Sequence, residues 1–164
     1  MPDNEIALIL RTIDQAFDHR SWHGTNLRGS IRRLDASAAA WRPAPERHNI
    51  WEIVVHAAYW KYTVRRRLLG ERRGSFPLKG SDWFVRPDGT TAGDRQWRED
   101  TELLVSMHRS LREAVASLDP RALDAPTSAG KTKTVDLLTG IAAHDLYHAG
   151  QIQLLKRLRA DARR

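Results

Sequence analysis

The chain has 164 residues, of which 41% are hydrophobic and 29% are charged, and its formal net charge is +7. This length suits one ordinary domain with a real core. The composition is too apolar for a disordered chain and too interrupted by charge for a membrane span, and the absence of cysteine excludes disulfides, thiolate nucleophiles and cysteine-ligated zinc. We expect a single domain over residues 1–164, in which any metal or nucleophile chemistry depends on histidine, carboxylate or hydroxyl groups.

The N-terminus, Met1-Pro2-Asp3-Asn4-Glu5, is acidic and lacks the basic-then-apolar pattern of a secretory signal. We therefore expect a cytoplasmic protein without a membrane partner. Apolar residues at spacings of three and four then predict a first helix over residues 4–19. Beyond it, residues 22–34 either continue as helix past Gly24 or break there, and the segment up to His48 contains two prolines and is predicted to be a loop.

The second predicted helix begins at Asn49, because Glu52 follows this N-cap residue at the spacing of a capping box. Gly70 is suited to end it as a left-handed cap. The residues that follow, 71–93, are rich in glycine and proline and show no helical period, which predicts a long irregular connection.

Two further helices are predicted, one from about Asp94 to a point before Asp119-Pro120 and one from about Thr134 to Arg159. No segment alternates with a period of two, which weighs against a fold rich in strands. The sequence therefore predicts an all-α fold, a four-helix bundle with a long crossover connection between the second and third helices.

Positive charge is concentrated in two runs, residues 61–73 with a local charge of +5 and residues 156–164 with +4. A nucleic-acid binder would need both runs on one face. If the second and fourth helices are antiparallel, the runs lie at opposite ends, which weighs against nucleic acid as a partner. We interpret both runs as solvated surface that matches the negative ends of the helix dipoles.

Three histidines, His56, His144 and His148, lie on the predicted inward faces of the second and fourth helices. His144 and His148 are four residues apart, so they share a helix face and can bind one ion. The spacing alone is weak evidence, since His19 and His23 have it in polar surroundings, and a single inward histidine is more often a core residue than a ligand. Burying three polar imidazoles in one core costs free energy unless a common partner compensates for their lost contacts with water. A divalent metal is such a partner, and three histidine ligands leave one of its coordination positions open.

Zinc peptidases with a histidine pair of this spacing carry a glutamate directly after the first histidine as general base. Here Asp145 stands at that position, and no further histidine or glutamate follows His148. A peptidase of that kind is therefore disfavoured.

Further motifs accompany the three histidines along the chain: Trp22-His23-Gly24, Arg42-Pro43, His48-Asn49-Ile50, His56, Arg67-Leu68-Leu69-Gly70 and His144 through His148-Ala149-Gly150-Gln151-Ile152. With these motifs the chain resembles, over nearly its whole length, the DinB-like family of small bacterial four-helix proteins. The resemblance implies a bundle with a crossover connection and often a homodimer. It also implies a divalent metal held by His56, His144 and His148.

Some members of that family are transferases that use a low-molecular-weight thiol, which a metal deprotonates. Since this chain has no cysteine, such a thiol must come from outside. The resemblance thus implies a metal-dependent transferase acting on a small-molecule substrate. A metal-dependent hydrolase, a non-catalytic metal-binding protein and a DNA-associated dimer remain open alternatives. Three imidazoles do not distinguish Zn, Ni, Fe and Mn.

Three other residues are candidates for contacts near the metal. Gln151, three residues after His148, can orient a ligand or a substrate, or can bond to the facing helix as a buried amide. Trp22 and His23 either line the mouth of a pocket or form a surface turn.

Overall fold

The computed structural model describes residues 3–88, 91–127 and 130–164. These residues form six α-helices and one 3-10 turn, with no strand beyond an isolated bridge between Pro126 and Lys133. The helices are α1 (Asp3–Phe17), α2 (Leu27–Ser30), α3 (Ala36–Ala40), α4 (Ile50–Leu68), α5 (Asp94–Ala116) and α6 (Thr134–Asp161), and the 3-10 turn is Pro120–Ala122. The fold is all-α, as predicted. The predicted connection over 71–93 is irregular in its described parts, and residues 89 and 90 lie outside them.

The helix α4 begins where the sequence predicts. The Asn49 side chain accepts a hydrogen bond from the backbone N–H of Glu52 at 2.8 Å, and the Glu52 carboxylate accepts one from the Asn49 N–H at 3.3 Å. This reciprocal pair is the capping box. After the last turn of α4, Gly70 has a φ of +66°, the left-handed conformation that glycine adopts at low cost.

Two short helices, α2 and α3, lie between α1 and α4. The chain breaks at Gly24 rather than continuing as one helix, and the loop predicted for the segment up to His48 is wrong at residues 36–40, which form α3. Each begins at an N-cap residue: Asn26 accepts from the Gly29 N–H at 2.8 Å, and Asp35 accepts from the Ala38 N–H at 2.6 Å. With four and five residues, they are too short to show an apolar period. The caps were the signal in the sequence that could have identified them.

The long helices enclose two clusters of buried apolar side chains. Trp51 on α4 belongs to one cluster, where its Nε1 donates to Asp100 at 2.6 Å and its ring meets Trp97 edge-on at 5.4 Å. In the other cluster, Val64 from the end of α4 packs with Leu111 of α5 and with apolar residues of α1 and α6. No helix in the described part of the chain is long and apolar enough to cross a membrane.

The basic run at residues 61–73 is not all solvated surface, because Lys61 is fully buried. Its ammonium group donates to Asp145 on α6, which is also fully buried, and lies 4.8 Å from the centre of the Phe17 ring. The surface interpretation is therefore wrong for Lys61. A lysine at this depth requires a charged partner, and that partner is 84 residues away in the sequence.

A second buried polar side chain is His108 on α5, which lies beside Phe17 and Asp14. The His108 ring stacks on Phe17 with centroids 3.7 Å apart, and its Nε2 lies 3.6 Å from Asp14, which also accepts from Arg112 Nε at 2.9 Å. Burial, with a smaller contribution from the charge of Lys61, lowers the pKa of His108 to about 2. His108 is therefore neutral in the folded protein near neutral pH.

The neutral state of His108 predicts that the folded protein loses stability in mild acid. Below the ordinary histidine pKa of 6.5 the unfolded chain takes up a proton at this residue and the folded chain does not. As the pH decreases, this residue therefore lowers the free energy of unfolding by up to about 1.4 kcal/mol per pH unit. His108→Phe keeps an aromatic ring against Phe17 and should remove that contribution. Between pH 7.5 and pH 5.5, urea unfolding should show that wild type loses about 1.4 kcal/mol more than the variant; equal losses would contradict the assignment.

Candidate metal centre

The three histidines singled out in the sequence meet between α4 and α6. Nε2 of His144 lies 3.2 Å from Nε2 of His56 and 3.0 Å from Nε2 of His148. His56 and His148 are buried and His144 is half-buried. Two nitrogens bound to one tetrahedral zinc ion at about 2.05 Å are about 3.3 Å apart. The spacing of these imidazoles thus suits a single ion.

The helices bring these rings together from opposite sides. His144 and His148 are one turn apart on α6, while His56 comes from α4. A little further along α4, the buried Lys61–Asp145 pair joins the same two helices. Helical spacing thus sets the position of two rings, and packing between helices sets the position of the third.

Hydrogen bonds to the outer nitrogens determine which ring nitrogens carry hydrogen. Nδ1 of His56 lies 2.9 Å from the backbone carbonyl oxygen of Asp82, which can only accept, so this Nδ1 is protonated and Nε2 is bare. Nδ1 of His148 lies 2.7 Å from Oε1 of Gln151, which fixes the same tautomer. Two lone pairs therefore point at the space between the rings, the arrangement that metal-binding histidines require.

The third imidazole leaves the hydrogen bonding between the three rings incomplete. Nδ1 of His144 is buried and has no partner, and a hydrogen on its Nε2 can satisfy only one of the two neighbouring lone pairs. An additional proton is disfavoured, because burial lowers the pKa of His144 to about 3 and of His148 to about 4, and also lowers the pKa of His56. Three neutral nitrogens facing one another at this distance are the donor set of a divalent metal.

The connection between α4 and α5 provides one wall of the centre. Asp82 adopts a φ of +62°, which is uncommon outside glycine, and while its carbonyl binds His56, its carboxylate accepts from Trp60 Nε1 at 2.9 Å. The next residue, Trp83, lies between two imidazoles: it stacks on His56 at 3.9 Å and on His48 at 3.6 Å. Nothing in the sequence marks Asp82 as a site residue. For Trp83, as for Phe76 and Phe84, the sequence leaves two interpretations open: an aromatic side chain that covers the site, or one that holds the connection against the bundle. Of these interpretations, the first requires a contact such as the stacking of Trp83 on His56.

A network of charged side chains holds the imidazole of His48, the outer ring of this stack. Glu52 accepts from both terminal nitrogens of Arg42, at 2.7 and 3.0 Å, and lies 3.0 Å from His48 Nδ1. Burial by itself would raise the pKa of Glu52, but the hydrogen bonds from Arg42 and His48 outweigh it and lower that pKa. Glu52 therefore stays ionised and orients His48 against Trp83, in addition to its capping role.

The remaining predicted residues lie in different surroundings. Gln151 bonds to His148 one turn away on its own helix, and its role in orienting a metal ligand or a substrate stays a prediction. Trp22 is fully exposed, and His23 Nε2 lies 2.8 Å from the Ser21 hydroxyl in a turn where Gly24 has a φ of +99°. Within the described residues neither Trp22 nor His23 contacts the three histidines, and their role at a pocket stays a prediction.

Comparison with protein families agrees with this site. A family model described as the DinB superfamily matches residues 19–152, a range that contains all three histidines and the connection that bears Asp82. No curated protein and no solved structure matches the chain.

Proposed function

The chain belongs to the DinB superfamily, and on that premise we propose that it is a metal-dependent enzyme that transfers an external low-molecular-weight thiol to a small-molecule substrate. The observation that carries the proposal is the convergence of three neutral imidazole nitrogens on one point. The tautomers of His56 and His148 are fixed by hydrogen bonds from their Nδ1 atoms to the Asp82 carbonyl and to Gln151. Such a set leaves a coordination position for a substrate.

The chain's own residues have distinct tasks in this proposal. His56, His144 and His148 would hold the ion, and the Asp82 carbonyl and the Gln151 amide oxygen keep two of the rings oriented. A divalent metal in this position would lower the pKa of a thiol that reaches it, so that the thiol reacts as a thiolate. Because the chain has no cysteine, no protein thiol competes for that position.

The contacts of the long helices support the crossover bundle as the finer description of the fold. Trp51, at the start of α4, bonds to Asp100 near the start of α5, while Val64, at the end of α4, packs with Leu111 further along α5. These pairs advance together along both helices, as in a parallel pair. A parallel pair needs a connection that returns along the bundle, and residues 69–93 are long enough for this. An experimental structure that traces this connection would test the proposal.

Thiol transfer is tested on metal-loaded protein with a panel of low-molecular-weight thiols and a chromogenic electrophile such as 1-chloro-2,4-dinitrobenzene. We expect product formation above the spontaneous rate with at least one thiol, loss of this activity after chelation and recovery when metal is returned. In parallel, cobalt-loaded protein should change its visible absorption when that thiol is added, because sulfur enters the coordination sphere. Stoichiometric metal without turnover or a spectral change for any thiol would contradict transfer and favour hydrolysis or a non-catalytic role.

A further inference from the structure

The basic run that begins at Lys61 divides into parts with different surroundings. Lys61 is buried against Asp145, and Arg65 pairs with Glu71 at 3.0 Å. Three other arginines of the run line a cavity of about 670 Å³ beside the end of α4: Arg66, Arg67 and Arg72. From its sequence the whole run is expected to be solvated surface, whereas the structure places these three arginines around a cavity.

The lining of this cavity has an excess of positive charge. Its acidic residue is Glu71, whose carboxylate already pairs with Arg65 from outside the lining. Tyr59 and Thr63 add hydroxyl groups that can donate hydrogen bonds. Guanidinium groups present donors in a planar fork that matches carboxylate and phosphate oxygens. The cavity is therefore suited to an oxyanion.

The cavity lies further along α4 than the candidate metal centre, on a related face of the helix. His56, Trp60, Thr63 and Arg67 are spaced by four, three and four residues, so they follow one another on the same side of the helix. The guanidinium carbon of Arg67 lies 6.0 Å from the centre of the Trp60 ring, and that ring centre lies 6.3 Å from the ring centres of both His56 and His144.

Trp60 forms a fixed surface between the two sites, because its Nε1 donates to the Asp82 carboxylate at 2.9 Å. The indole is thus the side chain that separates the Arg67 guanidinium from the imidazoles of His56 and His144.

We propose that this cavity binds the anionic end, a carboxylate or a phosphate, of the small molecule whose reactive group lies at the metal centre. The substrate class is thus a small organic anion. Its link to the metal rests on the proposed function, whereas anion binding in the cavity rests on the arginines alone.

The test is a calorimetric titration of metal-loaded and chelator-treated protein at low ionic strength, with glutarate in one arm and inorganic phosphate in the other. We expect saturable binding of at least one anion, and Arg67→Gln and Arg72→Gln should each raise its dissociation constant by about tenfold or more, because each removes a charged hydrogen-bond donor. Arg157→Gln is the matched control, since it removes the same charge from an exposed position on α6. Thermal unfolding of each variant verifies that it is folded.

The arms of this experiment separate the inference from the proposed function. Arginine-dependent anion binding by chelator-treated protein supports the cavity whether or not metal is bound. Absence of saturable binding of both anions overturns the inference, as does an equal loss of affinity in Arg157→Gln, and neither result bears on metal loading.

Discussion

Alanine at either His56 or His148 is expected to abolish stoichiometric metal binding. Structural zinc sites bind with about 10–16 kcal/mol shared among their ligands, so the loss of one of three protein ligands should weaken affinity by about a hundredfold or more. After His56→Ala the remaining ligands are two histidines on α6, the same spacing that His19 and His23 have near the surface. After His148→Ala, each helix provides one histidine.

The measurement is metal content after dialysis, followed by competition with a chromogenic chelator to obtain the dissociation constant. His23→Ala is the matched control, because it removes an exposed imidazole that does not contact the three histidines, and it should retain full metal content. Stoichiometric metal that survives both His56→Ala and His148→Ala would show that the ion binds elsewhere, and would refute the assignment of all three ligands.

The histidine cluster could be predicted from the sequence because its determinants are mostly local. Helical spacing places His144 and His148 on one face, and their apolar neighbours place that face inward. The capping box at Asn49 fixes the start of α4 and hence the direction in which His56 points. Where local signals agree in this way, sequence and structure coincide.

The role of Asp82 could not be predicted, because it depends on a backbone carbonyl whose direction follows from a φ of +62° and from the path of a long connection. A carbonyl is present at every residue, so the sequence carries no mark of the one that binds His56. For Trp83 the sequence indicates an aromatic residue that either covers the site or anchors the connection, and the position of its ring between two imidazoles depends on the path of that connection. The thiol and the homodimer depend on molecules outside the chain, and they stay predictions.

The surface prediction for Lys61 is wrong for the opposite reason, since its local sequence clearly indicates an exposed position although the residue is buried. Five arginines lie close to it in the run, and basic residues at the end of a helix are usually solvated. Its burial depends on Asp145, which is far away in the sequence and faces it only after α4 and α6 pack. Charge in a sequence therefore predicts exposure only for residues that no distant partner neutralises.

Removal of one partner from the buried Lys61–Asp145 pair is expected to destabilise the fold by about 3–5 kcal/mol, because the other group is left uncompensated in the core. Both side chains are fully buried, and burial raises the pKa of Asp145 although Lys61 opposes the rise. The variants are Lys61→Met and Asp145→Leu, and the free energy of unfolding in urea is the measurement. Arg65→Met is the matched control at a partly exposed pair, where a cost of about 1 kcal/mol or less is expected.

The double variant Lys61→Met/Asp145→Leu should recover most of the lost stability, because apolar side chains of similar size require no charge compensation. The second oxygen of Asp145 has no hydrogen-bond partner, so the native pair is incompletely satisfied and its replacement relieves a buried polar atom. A double variant as unstable as the worse single variant would contradict this account.

The metal affinity of the double variant tests a second role of the pair, because the pair joins α4 to α6 close to His56 and His144. A stable double variant with weakened metal binding would show that the pair holds the two helices in the register that the three histidines need.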